Sequence, residues 1–295
     1  MKPYIAYFNI CVLWGSSNVV SKIGLGSLNT SVFTSLRYLI TGFILLVIAL
    51  VFKLKFPKKL SEWKILTNIS LLMIFITVGC IALANKYADS GMVTIIQSTV
   101  PIMIVIIECF ILKTYTLSYK GIIGLIGGFF GIIIIVLFGT ESISADIKGI
   151  FFAFLGSLAF TVGSLYSKNR FIEGSAIAQT AAQGLIASAL FFIAGKVTGD
   201  FVISNITFKS MFPVFYLAII DSLIGFISYI YLMKIWKSSK VSTYAYINPV
   251  VALILGALIL SETITVGKVA GMIIIIGSVI LIQKDKTTTV EKIEN

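Results

Sequence analysis

One carboxylate, Asp221, stands near the centre of the apolar run Ser210–Leu232. A charged carboxylate at that depth of a bilayer costs about 2.5–3.5 kcal/mol on insertion scales, so it should face protein or water rather than lipid. Gly225 and Ser228 continue its helical face, consistent with a polar or closely packed interior. Four uses are open to it: holding a cationic group, exchanging a proton, pairing with Arg37, or staying neutral and hydrogen-bonded. Arg37 lies seven residues into the run Thr30–Phe52, roughly 10 Å deep at 1.5 Å per residue. It can bind a carboxylate or snorkel outward as an anchor.

Other candidates are weaker. Trp14 is mid-run, too deep for the interfacial aromatic belt. Its ring could stack on a cation or an aromatic solute, or fill a bundle core. Cys11, Gly15, Asn18 and Lys22 recur on one face of the first run, and Ser157, Thr161, Ser164 and Lys168 do so in the sixth. Such stripes serve close helix packing as readily as a water path; their recurrence in both halves favours a path. Glu108 shares a face with Gln97 and Pro101 and is four residues from the end of its run, which reads as a solvated or gating position. Trp236, Tyr244 and Tyr246 fall at a run boundary, where belt residues are expected.

The elements that must carry these residues follow from composition. The chain has 295 residues, 58% hydrophobic and 12% charged, about half the charge of a soluble domain. Spanning a bilayer takes about 20 apolar residues. Ten such runs are present, at about 5–21, 30–52, 65–85, 92–112, 119–138, 149–167, 177–194, 210–232, 241–260 and 266–282. The first is not expected to be a cleaved signal, because no small-x-small site follows it. There is no histidine, and the three cysteines lie inside apolar runs, so no metal site, cofactor or disulfide framework is expected. The formal charge of +11 reflects loop lysines that orient the chain rather than a nucleic-acid surface.

The chain reads as two related halves. At an offset of 148, Lys86, Ser90, Val93 and Pro101 fall on Lys234, Ser238, Val241 and Pro249. Two of only five prolines in register suggest duplication, with each proline expected to kink its run and serve as a hinge. Lysines concentrate on the loops that share a side with both termini, which places the termini in the cytoplasm. Five spans per half make the second half inverted. The fold class is therefore all-α membrane protein, ten transmembrane helices as two inverted five-helix repeats. The repeats are 1–139 and 140–283, followed by a polar, cytoplasmic tail 284–295.

The residues Trp14–Lys22 (WGSSNVVSK), Arg37 in SLRYLI, ALANKYADSGMVTIIQSTVP and Tyr244–Thr265 (YAYINPVVALILGALILSETIT) resemble the EamA-type transporters of the drug/metabolite transporter superfamily. The resemblance implies a ten-helix bundle with a central cavity formed mainly by spans one to four and six to nine. Glu262 matches the glutamate that closes span nine in that family. Lys113-Thr114 stands where span four often has one, so no role passes to the first half. The expected function is secondary transport of a small organic metabolite, such as an amino acid or amine, across the plasma membrane by alternating access. A passive channel or structural subunit is the alternative. An enzyme is not expected, since no clustered catalytic set is present. Partners are the solute, the lipid bilayer, a candidate coupling proton and a candidate second copy of the chain; nucleic acid is not among them.

The lysine asymmetry makes a direct prediction. In a background without Cys11, Cys80 and Cys109, cysteines placed near Lys58 and Lys237 should resist an impermeant thiol reagent on intact cells. One near Asp146 should label. Labelling of the first two from outside refutes the orientation.

Overall fold

The structure, a computed structural model, describes residues 2–25, 27–87, 93, 96–114, 118–138, 147–203, 207–260 and 265–284. Some side chains within these helices, including those of Asn18, Lys22 and Lys86, lie outside the described set, as do Ser90, Glu262 and the polar tail beyond 284. No strand occurs among the described residues. In hydrocarbon, a backbone with no water to bond must satisfy itself, and a helix does so within one segment.

The helices are α1 (Pro3–Leu25), α2 (Thr30–Val51), α3 (Leu60–Ile69), α4 (Thr77–Tyr87), α5 (Val100–Ile106), α6 (Tyr119–Leu137) and α7 (Ile147–Lys168). They continue as α8 (Ala176–Thr198), α9 (Phe208–Tyr216), α10 (Phe226–Ile235), α11 (Ser238–Ser242), α12 (Tyr244–Leu260) and α13 (Val266–Gln283). Among the described residues, three π-helical stretches join or extend them, at Ser70–Ile76, Ile107–Ile111 and Leu217–Gly225. Among the described residues, five helical segments are long and apolar enough to cross a membrane: Thr30–Val51, Leu60–Ala84, Ile147–Lys168, Ala176–Thr198 and Ser210–Ile235. Val100–Ile111, Tyr119–Ile134 and Val269–Ile282 are shorter apolar helices. Large apolar side chains such as Phe43, Phe130 and Ile273 point outward, as expected for surfaces whose solvent is lipid.

Two compact units result, one of Met1–Gly79 with Gly163–Ile235, the other of Cys80–Val162 with Trp236–Asn295. In the first, α2 runs along α8 with small residues at the crossing. A Cβ on Gly184 would come within 3.1 Å of the Gly42 Cα and 3.2 Å of the Tyr38 carbonyl oxygen. About two turns towards the start of α2, Ser35 donates to the Ser188 carbonyl (3.1 Å) and Ser188 donates to the Ser35 carbonyl (2.9 Å). Asp200 accepts from the backbone N–H (2.9 Å) and hydroxyl (2.8 Å) of Ser31, so a carboxylate sits on the positive end of α2. The second unit packs α6 on α13 in the same manner. A Cβ on Gly131 would meet the Gly271 carbonyl at 3.0 Å, and one on Gly124 the Ser278 carbonyl at 2.9 Å.

Several expectations change here. Pro101 does not kink a continuous helix: the chain turns at Ser98–Thr99, and Pro101 follows in the first turn of α5. There its missing N–H is no loss, because first-turn donors have no helical partner. Pro249 does lie inside its helix, α12, and the break comes earlier, at Thr243. Tyr246 is no belt residue; it is fully buried and donates its hydroxyl to the Leu125 carbonyl at 3.0 Å. Tyr244 is buried as well. The hydroxyls of Ser157 and Thr161 donate to carbonyls one turn back, at 2.8 Å each, and both residues are buried. These two side chains are therefore packing elements rather than the lining of an open water path.

The Gly42–Gly184 crossing can be tested by overfilling it. Gly184→Leu should destabilise the protein in detergent by about 1–3 kcal/mol, the usual cost of overpacking, because backbone atoms cannot move aside. Gly277→Ala should change little, since a Cβ there meets nothing within 4 Å among the described residues. Midpoints of thermal unfolding for the two variants check this.

Candidate functional site

The first unit brings several polar groups of its apolar helices together around Asp221. Leu217–Gly225 winds as a π-helix and holds Asp221 and Ser222. Such widened turns recur at functional sites, because they displace side chains and loosen backbone bonding. Neighbouring helices satisfy the loosened carbonyls. Thr41 of α2 shares its hydroxyl proton between the Arg37 and Ala218 carbonyls, both at 2.9 Å. The Trp14 indole N–H of α1 reaches the Asp221 carbonyl at 3.4 Å.

The centre of the arrangement is an ion pair. An Nη atom of Arg37 donates to Asp221 Oδ2, and Arg37 Nε donates to the Ser222 hydroxyl at 2.7 Å. The Asp221 side chain is 3% exposed and that of Arg37 is 12% exposed. The guanidinium also lies 5.2 Å from the Tyr38 ring centroid, within cation–π range. Arg37 thus turns inward and does not snorkel to the interface. Of the four uses open to Asp221, its pairing with Arg37 is the one present. Asp221 Oδ1 has no hydrogen-bond partner among the described residues. The Ser17 hydroxyl lies beside the carboxylate, but its proton is spent on the Trp14 carbonyl at 2.9 Å.

Trp14 forms one wall. A Cβ on Gly225 would sit 2.5 Å from its indole nitrogen, so glycine is what lets the ring lie on the helix. The Tyr229 ring is 5.3 Å away, centroid to centroid. Further along α1, Asn9 donates to Ser228 at 3.4 Å and Ser16 bonds the Tyr216 hydroxyl at 3.1 Å. The face Asp221–Gly225–Ser228 therefore meets α1. Ser222, Thr41, Ser17, Tyr216 and Tyr229 were not singled out from the sequence. Only the adjacency of Ser222 to Asp221 offered any signal for them, since hydroxyls and tyrosines are scattered through most of the helices.

The remaining candidates are elsewhere. Asn18 has no described side chain, and Gln97 is half-buried in the second unit. Glu108 corrects the expectation of a solvated position: it is 2% exposed, on the π-helical stretch Ile107–Ile111, and accepts from Ser238 at 2.9 Å. Its sequence position near the end of the run gave no sign that α11 would cover it. A shallow apolar groove in the first unit, lined by Asn68, Leu71, Leu72 and Tyr166, includes none of the ion-pair residues.

Comparison with known proteins agrees with this architecture. A solved crystal structure with 16% sequence identity superposes with a TM-score of 0.79 over 95% of each chain, which shows that the fold is shared. An uncharacterized inner membrane transporter of Escherichia coli K12, YedA, is 29% identical over 95% of this chain and 90% of its own. The uncharacterized transporter YvbV of Bacillus subtilis is 24% identical over 92% of this chain and 88% of its own. An uncharacterized transporter of Archaeoglobus fulgidus is 24% identical over 96% of this chain and 100% of its own. The EamA-like transporter family pattern matches residues 1–137 and 147–283. The chain therefore belongs to the EamA-like transporter family and is a multi-pass membrane transporter.

Proposed function

We propose that the protein is a secondary transporter that carries a small organic metabolite, an amino acid, amine or similar solute, across the plasma membrane by alternating access. The observation that carries this reading is the buried Arg37–Asp221 pair on a π-helical stretch in the first unit. A buried ion pair is a poor way to gain stability, because desolvation offsets much of its attraction. In a transporter it supplies a switch: one cationic and one anionic group that a solute or a proton can separate. Asp221 Oδ1, which accepts no hydrogen bond among the described residues, is the atom with room for a proton. Protonation there would cancel the charge on the carboxylate and free the Arg37 guanidinium for an anionic group. A solute bearing both a carboxylate and an amine matches the pair as a whole.

The same reading places both termini in the cytoplasm and treats 1–139 and 140–283 as inverted repeats, on the lysine distribution and the register of Pro101 with Pro249. Pro101, Glu108 and Pro249 are the hinge and gate candidates of this cycle. Trp14 is the aromatic wall beside the switch.

Uptake into proteoliposomes under an imposed pH gradient, screened over amino acids, amines and sugars, tests the proposal. Asp221→Asn keeps shape while removing titration, so it should abolish proton-driven accumulation yet retain solute exchange. Removing one partner of a buried pair costs about 3–5 kcal/mol, so Asp221→Asn and Arg37→Gln should each lower stability sharply. The double variant should recover stability without recovering accumulation. Recovery of both would make the pair purely structural, and accumulation unchanged in Asp221→Asn would remove this residue from the coupling step.

A further inference from the structure

We propose that one end of the first unit, built from residues 52–64 and 168–175, is a binding surface for anionic phospholipid headgroups. Lys53, Lys55, Lys58, Lys59, Lys64 and Arg170 are all exposed there. The two segments are joined. Ser175 N–H donates to the Lys55 carbonyl at 2.9 Å, and Gly174, at φ +109°, lies so close that a Cβ would be 2.5 Å from that carbonyl oxygen. Their bases therefore share one surface.

The acid within the basic stretch is withdrawn from that surface. Glu62 is 6% exposed, and its carboxylate accepts from the backbone N–H groups of Lys58 and Lys59, both at 3.1 Å, and of Glu173 at 3.0 Å. Glu173 is the one exposed acid in the two segments. The same bonds order the loop. So do Leu54 N–H to the Ala49 carbonyl (2.8 Å) and the Trp63 indole to the Pro57 carbonyl (3.2 Å). A flexible lysine run would lose entropy on meeting a ligand; this one is held in advance.

Apolar side chains decide which anion fits. Phe52, Leu60 and Phe171 are 70%, 73% and 86% exposed beside the lysines. Exposed bases alone describe a solvated face. Bases interleaved with large exposed apolar side chains describe a surface that meets headgroups and the upper acyl chain together. Each lysine near an anionic membrane surface contributes roughly a fivefold gain in binding. The surface does not depend on which solute the protein carries.

The experiment uses the full chain in phosphatidylcholine nanodiscs, with retention of added labelled phosphatidylglycerol as the readout. Lys55→Gln with Lys58→Gln and Lys59→Gln should weaken retention on the order of 100-fold. The matching triple Lys→Arg variant should keep it. Soluble glycerophosphate should not compete, since it lacks the acyl chains. Equal retention in the glutamine variant overturns the proposal, and so does displacement by glycerophosphate, which would mark a site for free anions. On the unaltered chain, retention indifferent to added salt overturns it as well.

Discussion

The buried pairing of Arg37 with Asp221 is the constraint on which the first unit depends. Two charges taken out of water must be compensated in place, or each would cost several kcal/mol. The compensation draws on different parts of the chain. α2 supplies the guanidinium and the Thr41 hydroxyl, the π-helical stretch supplies the carboxylate and Ser222, and α1 supplies the indole that caps the Asp221 carbonyl. None of these segments could keep its polar groups against lipid by itself. Their mutual packing is what makes the pair tolerable, and the pair in turn fixes their register.

Such packing requires backbones to approach closely, and lipid gives apolar side chains no incentive to prefer one another over acyl tails. Small residues solve this by bringing many atoms into contact. Gly42 on Gly184 and the reciprocal Ser35–Ser188 bonds hold α2 to α8, and the glycines of α6 receive α13. The dry hydroxyls belong to the same economy. Those of Ser157 and Thr161 are satisfied within their own helix, so they can be buried at little cost.

Irregular backbone coincides with two of the buried acids. Asp221 and Glu108 each lie on a π-helical stretch. A loosened helix in hydrocarbon survives only where protein covers it, and in both cases a hydroxyl or indole from another segment does so. An element held by a few specific bonds, rather than by an uninterrupted backbone ladder, can change its conformation at lower cost than a regular helix. That property suits a family whose members move solutes.

What the sequence determined by itself were the quantities that need no partner. Uninterrupted apolar runs dictate helices because a lipid-immersed backbone has no alternative, so helix positions such as Val266–Gln283 were legible to within a residue or two. The cost of a lone mid-run carboxylate singled out Asp221, and the order of the motifs pointed to the family. Partnership was decided only by the tertiary structure. That Arg37 turns inward, that Glu108 is covered, and that Tyr246 is core rather than belt all depend on which segment lies alongside, in each case more than 100 positions away. A residue's depth along its own run says how far it is from water, but not what stands beside it. Pro101 teaches the same lesson locally. Its presence announces an interruption, while hydrogen bonds and packing around Ser98–Thr99 chose a turn ahead of it over a kink through it.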